Sequence, residues 1–234
     1  MKKILITGAS RGIGLELTKQ YLELGCSVIA TCRHPNKANA LMDLKKENPK
    51  KIEILSMDVE VEESVKSCFN SLLKKKSKVD LLYNNAGIID WSDLYEVSAS
   101  STEKIYKVNL IGALLVTRHA LPCLKNSTDP VIVNLSSRLG SIEIRGETKL
   151  GGAIAYQCSK AALNMLTKQS AIDLQRHNIR VISQSPGWVK TDMGGKDAKY
   201  EIKDAVAKMI QSLLKMKSDQ TGIFIGEDGD LIPW

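Results

Sequence analysis

The chain has 234 residues, 43% of them hydrophobic and 25% charged, with a net charge of +7. This is the profile of an ordinary globular protein, and no apolar run approaches the roughly 18 residues that a membrane-spanning helix requires. A basic balance raises nucleic acid as a partner, but the lysines are scattered, and the one run, Lys74-Lys75-Lys76, closes a helical pattern where cations are favoured; neither nucleic acid nor membrane is expected as a partner.

The predicted elements alternate from the start. Lys2–Thr7 is a short strand, followed by Gly8-Ala9-Ser10-Arg11-Gly12-Ile13-Gly14 and a helical pattern through Ile13, Leu17, Tyr21 and Leu24. Gly25 stands where a helix-ending glycine belongs. Ser27–Cys32 is a second strand, and Ala38–Glu47 a helix stopped by Asn48-Pro49. Lys51–Ser56 is a third strand, ending in Met57-Asp58-Val59. Val61, Val65, Cys68, Phe69 and Leu72 repeat at helical spacing, and Val79–Asn84 is a fourth strand running into Asn85-Ala86-Gly87. A long helix is predicted over Ser100–Leu124, a fifth strand over Pro130–Ser136, and an irregular segment over Leu139–Ala155. The helix Ala153–Gln175 follows, then a sixth strand Ile179–Gln184, ended by Ser185-Pro186-Gly187. Ile202, Val206, Met209, Ile210 and Leu213 mark a last helix, and Gly222–Ile225 a final short strand.

The strands are continuous apolar runs with helices between them. That pattern predicts a parallel sheet covered on both faces, a Rossmann-type doubly wound α/β fold of about seven strands. Without linker, repeat or low-complexity segment, a single domain over 1–234 is expected. Ligands in such sheets lie beyond the carboxyl ends of the strands, where strand order switches.

Cys26, Cys32, Cys68, Cys123 and Cys158 are odd in number and irregular in spacing. They read as reduced thiols of a cytoplasmic protein, not as a disulfide framework or zinc site, with Cys158 read as a small packing residue in preference to a redox-sensitive thiol beside the active site. His34, His119 and His177 are far apart, and no metal site is expected. The apolar stretch after Met1-Lys2-Lys3 is too short for a signal peptide.

Gly8, Gly12 and Gly14 lie between the first strand and its helix. Glycines there let the backbone turn tightly and approach a ligand, and a helix N-terminus favours an anion, which suits a pyrophosphate. At the end of the second strand a carboxylate would select NAD, whereas an arginine accommodates a 2′-phosphate. Here Arg33 stands, with Arg11 as a second positive charge, so NADP(H) is the expected cofactor. Tyr156 and Lys160 are four apart on a predicted helix and so share a face about 5–6 Å apart. An ammonium beside a phenol lowers its pKa and makes proton exchange easier near neutrality, although on spacing alone a solvated face is the commoner meaning of such a pair.

In the order of its motifs the chain resembles the classical short-chain dehydrogenase/reductase family along its whole length. The matches are Thr7–Gly14, Asn84-Asn85-Ala86-Gly87, Asn109, Asn134-Leu135-Ser136-Ser137, Tyr156–Lys160 and Pro186-Gly187. The resemblance implies that Tyr156 is the general acid of carbonyl reduction. Lys160 would tune it and hold the nicotinamide ribose. Ser137, in preference to Ser136, would hydrogen-bond the substrate oxygen, and Asn109 would hold a water of a proton relay. Gly8, Ser10, Arg11, Gly12, Ile13 and Gly14 would cradle the phosphates, and Asp58 and Val59 would touch the adenine. Asn85, Ala86 and Gly87 would line the cleft, and Pro186, Gly187, Val189 and Thr191 would hold the nicotinamide end. Implied too are a small-molecule carbonyl substrate and a homodimer or homotetramer formed through the two long helices.

The spacing from Ser137 to Tyr156 is longer than the family usually shows. The extra residues lie in Leu139–Ala155, with Glu143, Arg145, Glu147 and Lys149, and should border the active site together with Ile88–Tyr95 and Trp188–Tyr200. Trp91, Ile142, Ile144, Trp188 and Met193 suggest an apolar pocket. The start of this segment and Pro186–Gly195 are similar to a narrower branch, the Sniffer-type carbonyl reductases and C-factor-like proteins. An NADPH-dependent carbonyl reductase is therefore expected, with an NADP(H)-binding signalling protein of little turnover as the alternative.

Overall fold

A computed structural model describes residues 2–146 and 151–234. At its centre is a seven-stranded parallel sheet in the order β3-β2-β1-β4-β5-β6-β7, formed by β1 (Lys3–Ile6), β2 (Ser27–Cys32), β3 (Ile52–Ser56), β4 (Leu81–Asn84), β5 (Val131–Leu135), β6 (Arg180–Gln184) and β7 (Phe224–Ile225). The helices are α1 (Gly12–Glu23), α2 (Asn39–Glu47), α3 (Glu62–Lys74), α4 (Ala99–Tyr106), α5 (Ala113–Leu124), α6 (Ile154–Leu174) and α7 (Ile202–Leu214). The predicted strands are all present, with ends moved by a residue or two.

Strand geometry explains the two layers. Successive side chains point to opposite faces, so Ile4 and Ile6 enter one core and Leu5 the other. On one face, Leu17 and Tyr21 of α1, Leu41 of α2 and Met209 of α7 join Ile4, Ile6, Tyr83 and Ile182. On the other, Phe69 of α3, Val116 of α5 and Leu174 of α6 join Leu5, Ile29, Leu82 and Val181. Burial on both faces is why the strands read as unbroken apolar runs. Gly25 closes α1 at φ +78°, donating its N–H to Leu22 O at 3.0 Å, as predicted.

β1 lies between β2 and β4, and the chain reverses its direction of winding there. The carboxyl ends of β1 and β4 therefore form the switch-point crevice. One predicted element is altered. Ser100–Leu124 is not a single regular α-helix: a π-helical segment, Lys107–Gly112, joins α4 to α5 and contains Asn109. Such turns are rare and concentrate at functional positions. The predicted irregular segment holds two 3₁₀ turns, Arg138–Gly140 and Glu143–Gly146, while Glu147 and Lys149 lie outside the described residues. Among the described residues no helix is long and apolar enough to cross a membrane, and no group of three or more His, Cys, Asp or Glu gathers as a metal site. All five cysteines are free thiols, and Cys158, expected as a small packing residue, is instead exposed on α6.

Candidate active site

The glycine loop is braced from below. Thr7 Oγ1 accepts the N–H groups of Asn85 and Ala86, each at 3.0 Å, and so ties the end of β1 to the end of β4. The Asn85 amide donates to Thr7 O at 2.7 Å and Gly8 O at 3.2 Å. Its side chain supports the loop, a role the sequence did not announce. Gly8 and Gly12 take positive φ, +65° and +55°. A Cβ at Gly14 would stand 2.5 Å from both Gly8 O and Asn85 Nδ2, so only glycine fits. Helix α1 begins at Gly12 without a side-chain cap. Its first-turn N–H groups remain available to an anion, which fits the phosphates of a dinucleotide. Ser10 and Ile13, both half-buried, belong to the same turn.

The other expected cofactor positions follow along this sheet edge. Arg33 is exposed just beyond β2. Arg11 is exposed, and its guanidinium is 3.7 Å from Asp192 Oδ2. Beyond β3, Asp58 Oδ1 accepts the Glu60 N–H at 3.0 Å. Val59 is buried against Gly112, where an added Cβ would lie 2.9 Å from the valine Cβ. Gly87 lies beside Asn109 and Lys160: a Cβ there would be 3.4 Å from Asn109 Oδ1 and 3.7 Å from Lys160 Nζ.

At the carboxyl end of β5 the two serines part. Ser136 is buried and donates to Asn164 Oδ1 at 2.7 Å. Ser137 is half-buried, caps the next turn by accepting the Leu139 N–H at 3.2 Å, and faces the Tyr156 phenol closely enough to favour its ionised form. Gly140 lets the following turn lie flat on α6, since a Cβ there would meet Lys160 Cβ at 2.7 Å.

Tyr156 and Lys160 are both buried, so the pair is not a solvated face. Lys160 Nζ donates to Leu135 O at 2.6 Å and stands 5.5 Å from the centre of the Tyr156 ring. The expected lowering of the phenol pKa is not what this geometry produces. Burial pushes Tyr156 up to about 12, with the neighbouring Ser137 side chain opposing it. Burial also pulls Lys160 down to about 8. Removal from water penalises the charged form of each group, and here it outweighs their proximity.

The Asn109 side chain is fully engaged. Its Oδ1 accepts the Ile88 N–H at 2.9 Å, and its amide donates to Ile88 O at 2.9 Å and Ser159 Oγ at 3.0 Å. It fastens the chain leaving β4 to α6 instead of presenting a free amide to water. On the far side of the crevice, Gly187 turns at φ +76° beneath the Tyr200 ring. Pro186 precedes it, and buried Val189 bridges to Tyr200. Thr191 Oγ1 accepts the Gly194 N–H at 3.0 Å. The Thr191 methyl would be 3.9 Å from a Cβ at Gly12, so this loop lies over the glycine loop.

Sequence reasoning missed the support beneath the site. Asn84 donates to Thr117 Oγ1 (3.0 Å) and Asn134 Oδ1 (2.8 Å), Asn134 donates to Thr167 Oγ1 (2.8 Å), and Thr167 meets Ser183 Oγ at 2.8 Å. This buried polar row crosses β4, β5 and β6 in register. Its signal was an asparagine interrupting each of two apolar strands.

Whole solved structures share this architecture. The carbonyl reductase from chicken fatty liver, solved with NADPH bound, matches with a TM-score of 0.95 at 33% identity, over 100% of this chain and 99% of its own. The carbonyl reductase Sniffer of D. melanogaster matches with a TM-score of 0.92, also at 33% identity, over 100% of both chains. Among sequence relatives, the C-signal of Myxococcus xanthus is 35% identical over 157 residues, 67% of this chain and 93% of its own. The family model described as short chain dehydrogenase matches residues 2–201, which span the glycine loop, Ser137, Tyr156 and the Pro186-Gly187 turn. The chain belongs to the short chain dehydrogenase family of oxidoreductases.

Proposed function

We propose that the protein is an NADPH-dependent carbonyl reductase, acting as one domain over 1–234 on an aldehyde, ketone or quinone. The observation that carries this is the placement of the Ser137 side chain, at the end of β5, next to the buried phenol of Tyr156, with Lys160 buried beside them. A phenol held near 12 is protonated at neutral pH, the form that a proton donor requires. Tyr156 delivers that proton to the carbonyl oxygen. The Ser137 hydroxyl donates to the same oxygen and steadies its developing charge. Lys160, as ammonium, stabilises the phenolate as the proton leaves. NADPH, when bound, supplies the hydride to the carbonyl carbon.

Gly8, Ser10, Arg11, Gly12, Ile13 and Gly14 hold the cofactor phosphates, and Arg33 the 2′-phosphate. Asp58 and Val59 meet the adenine, and Asn85, Ala86 and Gly87 wall the cleft. Pro186, Gly187, Val189 and Thr191 hold the nicotinamide end. With the Asn109 side chain engaged, its main chain in the π-turn is the group left to hold a relay water near Lys160. The chicken reductase with NADPH supports the cofactor choice. The α4–α5 and α6 faces serve a homodimer or homotetramer in the cytoplasm. The test is NADPH consumption with a panel of aldehydes, ketones and quinones. The C-signal relative favours a second reading, a signalling protein that holds NADP(H) with little turnover. NADPH binding without consumption on any member of the panel would select that alternative.

A further inference from the structure

We propose that the C-terminal stretch 224–234 is a clasp that sets selectivity among carbonyl substrates, by fixing residues 138–143 beside Ser137; this rests on the carbonyl-reductase proposal above. The clasp grips at two points. At the first, Trp234 O accepts the N–H groups of Ile142 (2.9 Å) and Glu143 (3.0 Å). Ser141, fully buried, donates to Pro233 O at 2.6 Å and lies 3.2 Å from Trp234 O. Ser141 Oγ also accepts the Ile144 N–H at 3.4 Å. At the second, Glu227 is buried with Oε2 3.5 Å from Arg138 Nη2. That oxygen has no hydrogen bond among the described residues, so its compensation comes from nearby cations: Arg138, next to Ser137, within ion-pair distance, and Lys199 through space. Glu227 also touches the Gly187 turn, where a Cβ would lie 3.0 Å from its Cδ.

The clasp is itself anchored. The Trp234 ring stacks on Phe224 of β7, with centroids 5.8 Å apart, and Lys168 of α6 lies over it at 5.6 Å while donating to Gly222 O at 3.0 Å. The wall that begins at Ser137 is thus held from the sheet edge, not by its own sequence. Substrate contacts away from the reacting carbon convert into differences in kcat/KM. A bulky substrate that reaches this wall depends on its placement, whereas a compact aldehyde depends on Ser137 and Tyr156 alone.

Trp234→Ala keeps the main-chain oxygen and removes its anchor, and Ser141→Ala removes the side-chain link. For each, kcat and KM are measured with a compact aldehyde and a bulky aromatic ketone. NADPH affinity, Tm and hydrogen exchange at the Ile142 and Glu143 amides are measured alongside. The expected result is a change of about tenfold in the bulky-to-compact ratio of kcat/KM, carried by KM, with faster exchange in Trp234→Ala and NADPH affinity within about twofold. Glu227→Gln should shift the same ratio in the same direction. An unchanged ratio, or losses that fall equally on both substrates and track Tm, overturns the clasp. Wild-type protein that reduces no carbonyl overturns the underlying function and the selectivity role with it; an active wild type with an unchanged ratio in the variants overturns the clasp alone.

Discussion

Replacing Tyr156 by Phe removes one oxygen atom and keeps the ring. If Tyr156 is the proton donor, turnover loses general acid catalysis, typically 10²- to 10⁴-fold, or about 3–5 kcal/mol of barrier. The folding cost should be far smaller. The hydroxyl faces Ser137, an interaction worth at most about 0.5–1.5 kcal/mol net, and its removal also relieves a buried polar group. A domain of this size shifts by about 2–4 °C per kcal/mol, so Tm should move by a few degrees at most. The assay follows NADPH absorbance with the best carbonyl of the panel, with cofactor binding and thermal unfolding measured on the same preparation. Because the phenol stays protonated throughout the neutral range, the wild-type donor is not limited by its own titration there. Ser137→Ala acts on the same oxygen, so the double variant should be little slower than the worse single one. Activity of Tyr156→Phe within about threefold of wild type would refute the assignment. So would a loss of turnover matched by an equal loss of NADPH binding, since that would describe a structural tyrosine.

Three further outcomes follow from particular contacts. Lys160 falls from 10.5 to about 8 on burial, so the unfolded state binds more protons between those values and this residue makes stability rise with pH across that window. Lys160→Met should raise stability at neutral pH by on the order of 2 kcal/mol and flatten that rise while abolishing reduction; wild-type kcat/KM should decline above about pH 8, and a profile flat through that range contradicts the need for the ammonium. Arg33→Ala should weaken NADPH binding about 10- to 100-fold, the worth of charge-assisted phosphate contacts, with NADH little affected; equal losses for both, by fluorescence titration, would remove Arg33 from the 2′-phosphate site. Gly14→Ala would set a methyl 2.5 Å from Gly8 O, costing about 1–3 kcal/mol by overpacking; an unaltered Tm would show that the loop yields more easily than its bracing by Asn85 implies.

The fold was legible because both faces of the sheet are covered, and that alone turns each strand into an apolar run recognisable without neighbours. The glycine loop was legible for a similar reason: positive φ and close approach leave few residue choices at Gly8, Gly12 and Gly14. Spacing also placed Tyr156 and Lys160 on one face. Spacing carries no information about burial, however, and burial is what sends the phenol up and the ammonium down. The parting of Ser136 from Ser137 depends on Asn164 in α6, and the engagement of Asn109 depends on Ile88 and a π-turn. Arg138 meets Glu227, and Ser141 meets Pro233, across most of a hundred residues of chain. Local pattern determined which elements form and where the phosphate loop lies; only the tertiary structure decided partners and protonation, because hydrogen bonds over long separations and the loss of water exist only once the chain has closed on itself.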